Sequence, residues 1–201
     1  MEDARRFFED IWSKGDYWQL ATSAYDQGRF DAQLALLADR RYARALEYGC
    51  GAGEFTRRLA AVADAVVAVD VAANAVEQAR AVVPENVELR LADAVEFDPV
   101  TEGPFDLVVL GEVVYYIGWL RTFFEVGWFA HRVFEATAPG GRALLGNTLI
   151  HHESSLESPW LVHTYRDLLR NVGFEPEREE TYRNEKDGVE LETLLTLFRK
   201  P

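Results

Sequence analysis

The sequence predicts an α/β fold: a three-layer sandwich around a mostly parallel sheet, with a C-terminal antiparallel hairpin and helices at the N-terminus. Three observations predict it. Five apolar segments of strand length alternate with helical segments between residues 45 and 148, and such alternation implies right-handed crossovers over a parallel sheet. The first segment breaks into a turn with glycine at alternate positions, Gly49, Gly51 and Gly53. After residue 148 the pattern changes to one helix and two extended runs, which reads as a hairpin.

Taken in order, residues 4–12 and 25–38 have the composition of two amphipathic helices, joined by Gly15-Asp16-Tyr17-Trp18. The first strand is 45–49 and the helix after it 55–63. The second strand, 66–71, is an almost continuous β-branched run and must be buried on both faces. A helix over 73–83 ends at Pro84 and Asn86. The third strand, 87–93, alternates apolar and polar residues and lies nearer an edge. The fourth is 105–112. A long helix over 120–137 closes at the turn signal Pro139-Gly140-Gly141, before a fifth strand at 142–148. A helix over 163–172 has Leu168, Leu169 and Val172 on one face and Gly173 just past its end. The extended runs 174–182 and 191–199 flank the turn-forming residues 184–188. No linker, repeat or low-complexity segment interrupts the chain. The expectation is one domain over 1–201, with a helical lid at 1–42 and an α/β core at 43–201.

Composition excludes several classes. With 21 basic and 34 acidic residues the net charge is −13, which repels phosphate backbones and argues against nucleic acid as a partner. The densest basic cluster, Arg40, Arg41 and Arg44, reads as a solvated turn. A single cysteine, Cys50, permits no intramolecular disulfide. With four histidines and no second cysteine there is no structural zinc pattern, and no metal is expected. No apolar run approaches membrane-spanning length and the first residues form no signal-peptide core, so the expected location is cytoplasmic, without a membrane partner.

The glycine turn carries the most information. A strand that ends in Glu47 and runs into Gly49, Gly51 and Gly53 brings bare backbone against a ligand at the start of a helix. A dinucleotide fingerprint requires G-x-G-x-x-G, and its third glycine position is here Glu54, a carboxylate that would face a pyrophosphate. No Gly-Lys-Ser/Thr follows, so a P-loop is excluded as well. The pattern is E-x-G-x-G-x-G, and it resembles motif I of class I S-adenosylmethionine-dependent methyltransferases. The terminal hairpin resembles the ending of that fold independently. A cofactor with a sulfonium and an α-amino group but no phosphate tolerates acid near the turn.

That resemblance assigns the other strand ends. Asp70 closes the second strand 21 positions after Gly49. An acid about 20 positions on accepts both ribose hydroxyls, though a helix cap is the alternative. Val71 would cover the adenine. Asp93 resembles the acid that accepts from the adenine amine, with the Ala94 N–H facing a ring nitrogen. Gly111 and Glu112 would line the methionine moiety, and Glu47 would orient the turn and the amino group.

The N-terminal segment narrows the family. Asp16-Tyr17-Trp18, Thr22-Ser23-Ala24-Tyr25-Asp26, Arg29, Leu34-Ala35-Leu36-Leu37, Ala43-Arg44-Ala45-Leu46-Glu47 and Glu112-Val113-Val114-Tyr115-Tyr116-Ile117 resemble the nodulation protein S family from about Asp16 to about Arg183. Members of that family methylate an amine on a deacetylated chitooligosaccharide. The resemblance implies that Tyr25 and Arg29 reach the carboxylate of the methionine tail, a planar fork being suited to a carboxylate. A surface position on an amphipathic helix is the competing reading of Arg29. Two features depart from the family pattern: Tyr48 stands where valine is usual, and residues 118–128 form an aromatic-rich insertion.

Methyl transfer requires in-line alignment and exclusion of water. Aromatic faces tolerate the charge that spreads from sulfur; Tyr115, Tyr116, Trp18 and Trp119 are candidates. The nucleophile must lose a proton, and His151 and His152, directly after the fifth strand, are the candidate base or substrate ligand. His163 could instead cap its helix. The reading is a methyltransferase that uses S-adenosylmethionine, releases S-adenosylhomocysteine and acts on a small-molecule acceptor, most readily the nitrogen of an amino sugar or other polar amine, as a monomer or homodimer. The alternatives are an O-methyltransferase of a natural-product pathway and a binding-only domain.

Overall fold

The structure, a computed structural model, describes residues 2–150 and 155–201. Seven strands form one sheet: β1 (Tyr42–Tyr48), β2 (Ala63–Asp70), β3 (Val87–Leu91), β4 (Phe105–Gly111), β5 (Thr137–Leu149), β6 (Glu175–Lys186) and β7 (Val189–Arg199). Their order is β3-β2-β1-β4-β5-β7-β6. The pairs from β3 through β5 are parallel, and β7 is antiparallel to both β5 and β6. This is the class I methyltransferase fold anticipated above.

The helices are α1 (Glu2–Trp12), α2 (Ala24–Leu37), α3 (Thr56–Val62), α4 (Ala73–Arg80), α5 (Pro99–Glu102), α6 (Val114–Leu120), α7 (Phe123–Ala136) and α8 (Pro159–Asn171). Alternate residues of the central strands face opposite ways. On one face Ala45, Ala68, Leu107, Val109 and Leu144 pack with Phe30, Leu36 and Leu37 of α2 and Leu59 and Ala60 of α3. On the other, Leu46, Val67, Val108, Leu110 and Leu145 pack with Ile117 of α6, Phe129 and Val133 of α7 and Leu169 of α8. Burial on both faces is why β1, β2 and β4 read as continuous apolar runs rather than alternating ones. No helix among the described residues is long and apolar enough to cross a membrane.

Four expectations need correction. The helix expected over 120–137 is α7 and begins later, at Phe123, where Thr122 and Glu125 form a capping box, and the separate helix α6 before it was not expected. β5 starts earlier than expected, at Thr137, because Pro139-Gly140-Gly141 makes an irregularity against β4 within the paired strand rather than a turn before it. The hairpin turn is only Asp187-Gly188, with φ of 53° and 79°, so β6 and β7 extend through most of the segment read as turn. The basic cluster is a solvated turn only in part: Arg40 and Arg41 are exposed before β1, donating to the Gly140 carbonyl and pairing with Asp64 at 2.5 Å, whereas Arg44 lies in β1 and bonds the Glu102 carbonyl.

Candidate active site

A cavity of about 300 Å³ opens beyond the carboxyl ends of β1, β2, β3 and β4, at the point where the strand order reverses between β1 and β4. That volume is at the small end of pockets that enclose small ligands. The sheet supplies its floor and α1, α2 and α6 its walls.

The turn after β1 forms one side. The N–H groups of Gly49 and Cys50 donate to the Val69 carbonyl at 2.8 and 3.1 Å, and the Gly51 N–H donates to Asp70 Oδ2 at 2.8 Å. Asp70 Oδ1 accepts from the Ala72 N–H at 2.9 Å. This carboxylate therefore ties the glycine turn to the start of α4 while lining the cavity. Burial raises its pKa, against the lowering effect of those N–H bonds. Gly49 and Gly51 line the cavity. Gly53 does not: at φ 84° it faces the end of α4 and the turn after it, where a Cβ would lie 3.2 Å from Ala79 and 3.0 Å from Val82 and Val83.

Glu47 is 4% exposed and Oε2 has no partner. Burial, with the Asp70 charge adding to it, pushes its pKa up to about 7. Tyr48, one residue on, points to the other face of the sheet, against Phe97 and Phe129. The departure from valine is thus a core substitution remote from the cavity.

At the opposite wall Arg29 is buried rather than on the surface. It bonds Asp26 at 2.9 Å and lies 3.4 Å from Glu112, and its Nε has no partner. Burial alone would lower its pKa, and the Glu112 and Asp26 charges more than offset that. Asp26 also receives Lys186 Nζ at 2.6 Å from the hairpin. Tyr25 lines the same wall, and its hydroxyl is shared with Thr193 at 2.6 Å and Thr148 at 3.2 Å. Gln33, 1% exposed, lies over Gly111 and Gly146 with Nε2 unpartnered.

Glu112 holds a left-handed backbone, φ 53°. A non-glycine residue tolerates this where surrounding bonds over-determine it. Its carboxylate accepts from the Tyr115 hydroxyl at 2.8 Å, the Thr148 N–H at 3.0 Å and the Thr148 hydroxyl at 2.8 Å. The bend turns the chain out of β4 into α6, so that Tyr115 and Tyr116 both line the cavity.

Val71, Asp93 and Ala94 also line it. Asp93 departs from the simple reading of an acid held ready for a base. Its Oδ1 accepts from the Val95 N–H at 2.9 Å and its Oδ2 pairs with Arg121 at 2.7 Å. Trp18 lies at the cavity, whereas Trp119 is 51% exposed and packs on Phe7 instead. His151 and His152 lie outside the described residues. Sequence reasoning missed Trp12, Gln33, Arg121, Glu157 and Lys186 as lining residues. Trp12, Gln33, Arg121 and Lys186 join the cavity beside partners distant in sequence and Glu157 through the bond that ties it to the end of β5, so no local pattern marks them.

The cavity is strongly acidic. Seven carboxylate residues line it against three cations, Arg29, Arg121 and Lys186. Among the described residues no group of three or more His, Cys, Asp or Glu could hold a metal ion.

A profile model of the Nodulation protein S (NodS) family matches residues 3–123. Nodulation protein S of Rhizobium tropici is 29% identical over 189 residues, covering 92% of this chain and 76% of that protein. The namesake from Sinorhizobium fredii is 31% identical over 137 residues, covering 67% and 61%. Among solved structures, the N-methyltransferase NodS from Bradyrhizobium japonicum WM9 in complex with S-adenosylhomocysteine superposes with a TM-score of 0.84, at 23% identity over 98% of both chains. A Burkholderia thailandensis 1,6-didemethyltoxoflavin-N1-methyltransferase with bound S-adenosylhomocysteine gives 0.72, at 19% identity over 98% of this chain and 86% of that one. At these identities the structural likenesses establish the fold.

Proposed function

The chain belongs to the nodulation protein S family and is an S-adenosylmethionine-dependent methyltransferase, and on that premise we propose that it methylates the nitrogen of a small polar amine, such as an amino sugar. The observation that carries the choice of an amine is the surplus of carboxylates around the cavity. An anionic acceptor would be repelled there, and a cationic one attracted.

The side chains present fit a zwitterionic sulfonium. Arg29 Nε and Gln33 Nε2 are buried donors without partners, suited to a carboxylate, and Glu47 Oε2 is a buried acceptor without one, suited to an amino group. No lysine lies at the glycine turn to meet a phosphate, and Glu54 would repel one. When bound, the cofactor supplies a methyl group already activated for displacement. In this reading Arg29, Tyr25 and Gln33 hold the amino-acid tail, and Asp70 holds the ribose. Val71 and Ala94 flank the base, while Gly49 and Gly51 let backbone approach. Asp93 and Arg121 work as a pair at the base. Tyr115 and Tyr116 face the reacting centre, where aromatic rings accommodate positive charge and exclude water. The N-terminal helices 1–42 act as a lid over the core, and the site is cytoplasmic.

The test is a panel of amines, phenols and carboxylates incubated with S-adenosylmethionine, read by mass spectrometry of methylated product. Methylation of amines is the expected outcome. Turnover confined to phenols or carboxylates would overturn the reading.

A further inference from the structure

We propose that Glu157 anchors the acceptor as an ammonium ion at the Tyr115–Tyr116 end of the cavity and takes the proton that must leave before nitrogen attacks. This deepens the N-methylation reading and rests on it.

The assignment follows from what each cavity carboxylate is already engaged with. Asp26 and Glu112 face Arg29, Asp93 pairs with Arg121, and Glu54 pairs with Arg57 at 2.9 Å. Asp70 is occupied by two backbone N–H groups. Glu47 sits at the floor beside the glycine turn, on the cofactor side. Glu157 is the seventh. Its Oε2 accepts from the Ser155 hydroxyl at 2.5 Å, and no arginine or lysine among the described residues pairs with it.

Glu157 is nevertheless held in place. The Ile150 N–H donates to its carbonyl at 2.9 Å, which ties the end of β5 to the residues that start α8. Its own N–H donates to Ser155 Oγ at 3.2 Å. One carboxylate oxygen is thereby fixed and the other is left to a ligand. A fixed carboxylate at a partly desolvated wall binds a cation more strongly than one free in water.

The titratable groups that face Glu157 among the described residues are Tyr115 and Tyr116 of α6, with Glu112 behind them. Burial and the neighbouring carboxylate charges push Tyr116 up to about 12 and Tyr115 well above the usual phenol value. Both phenols therefore stay protonated near neutral pH and neither can act as the base. Their rings can flank an ammonium, so one carboxylate and two aromatic faces converge on a cation.

The step balances. An N–H bond of the ammonium breaks and its proton passes to a Glu157 oxygen. The lone pair so freed forms the N–C bond, and the pair of the breaking C–S bond stays on sulfur. Glu157 then returns its proton to solvent.

The experiment compares Glu157→Gln, Glu157→Asp and the double variant His151→Gln/His152→Gln with wild type, on a primary amine that wild type methylates. Affinity for S-adenosylhomocysteine, measured by calorimetry, checks each cavity. Glu157→Gln is expected to keep that affinity within about twofold and to lose roughly 100-fold in kcat/KM at pH 7. The loss should shrink as pH rises toward the amine's own pKa, where free amine needs no base, and Glu157→Asp should recover part of the rate. Wild-type kcat/KM in Glu157→Gln overturns the proposal. So does a loss that is the same at every pH, or collapse of the histidine variant alone. If Glu157→Gln fails to bind S-adenosylhomocysteine, Glu157→Asp decides by the same pH criterion. Wild type that methylates phenols and no amine is a separate result, which removes the N-methylation reading itself.

Discussion

Trp12 fills the space that a side chain on Gly51 would require: a Cβ there would lie 2.7 Å from Trp12 Cζ2, and Gly51 holds φ at 52°. The residue that lets backbone approach a ligand thus also seats the last turn of α1. Trp12 is 4% exposed and its carbonyl accepts from Gln78 at 2.9 Å, so the ring has little freedom to retreat. Gly51→Ala combines a left-handed alanine with overpacking. We expect a loss of about 2–3 kcal/mol in stability and at least ~10-fold weaker cofactor binding, since the N–H given to Asp70 moves too. Denaturant unfolding and calorimetric titration measure both. Adding Trp12→Ala should restore part of the affinity, and failure to do so would remove the clash as the cause.

Arg29 bonds Asp26 and faces Glu112 with its side chain only 4% exposed. Removing one partner of a buried ionic group leaves charge uncompensated. Arg29→Ala should therefore destabilise the protein by about 3–5 kcal/mol. Asp26 retains Lys186 at 2.6 Å, so most of the penalty falls on Glu112. Arg29→Ala/Glu112→Gln should accordingly unfold at higher denaturant than Arg29→Ala alone. The reverse order would mean that Glu112 is held by Tyr115 and Thr148 without help.

The sheet was legible from sequence because each central strand is buried on both faces and must be apolar throughout. The glycine turn and Asp70 were legible because they are local. Two kinds of feature escaped. One was the short helix α6. Val113, Val114 and Ile117 continue the apolar character of β4, and only the left-handed turn at Glu112, which no pattern announces, shows where the strand stops. The other was every residue whose role depends on a distant partner: Arg121 on Asp93, Lys186 on Asp26, Trp12 on Gly51. Arg29 stood between burial and exposure because a weakly amphipathic helix does not say which face its sheet will cover.

Gly146 and Gln33 test how tightly the cavity floor is packed. A Cβ on Gly146 would meet Gln33 Nε2 at 2.3 Å and Leu195 Cδ2 at 3.2 Å. Gly146→Ala is expected to cost about 1–3 kcal/mol and to push the Gln33 amide toward the cavity, weakening S-adenosylhomocysteine binding. Gln33→Ala removes the obstructing amide. The double variant should be more stable than Gly146→Ala alone, with a coupling of at least ~0.5 kcal/mol in thermal unfolding. Strict additivity would show that the two side chains relax independently.

Glu47 sets a pH dependence whose sign runs against the usual one for carboxylates. Its pKa rises from 4.5 in the unfolded chain to about 7 in the folded protein, because burial disfavours the ionised form. Between those values the folded state binds more protons than the unfolded state, so stability falls as pH rises from about 4.5 to about 7 and is level above. The span corresponds to something on the order of 3 kcal/mol. Asp70, also raised by burial, adds to the fall with the same sign. Asp26 and Asp98, whose pKa values are lowered by their cationic and hydroxyl partners, act oppositely and at lower pH. The difference between wild type and Glu47→Gln isolates the single group: the variant should match wild type near pH 5 and exceed it in stability at pH 8. A cationic ligand beside Glu47 stabilises its ionised form, so S-adenosylmethionine affinity in wild type should rise from pH 6 to pH 8 as the carboxylate charges, and this rise should vanish in Glu47→Gln. Chemical denaturation and calorimetry across that range measure the two effects. An unchanged pH profile in the variant would place the titration elsewhere.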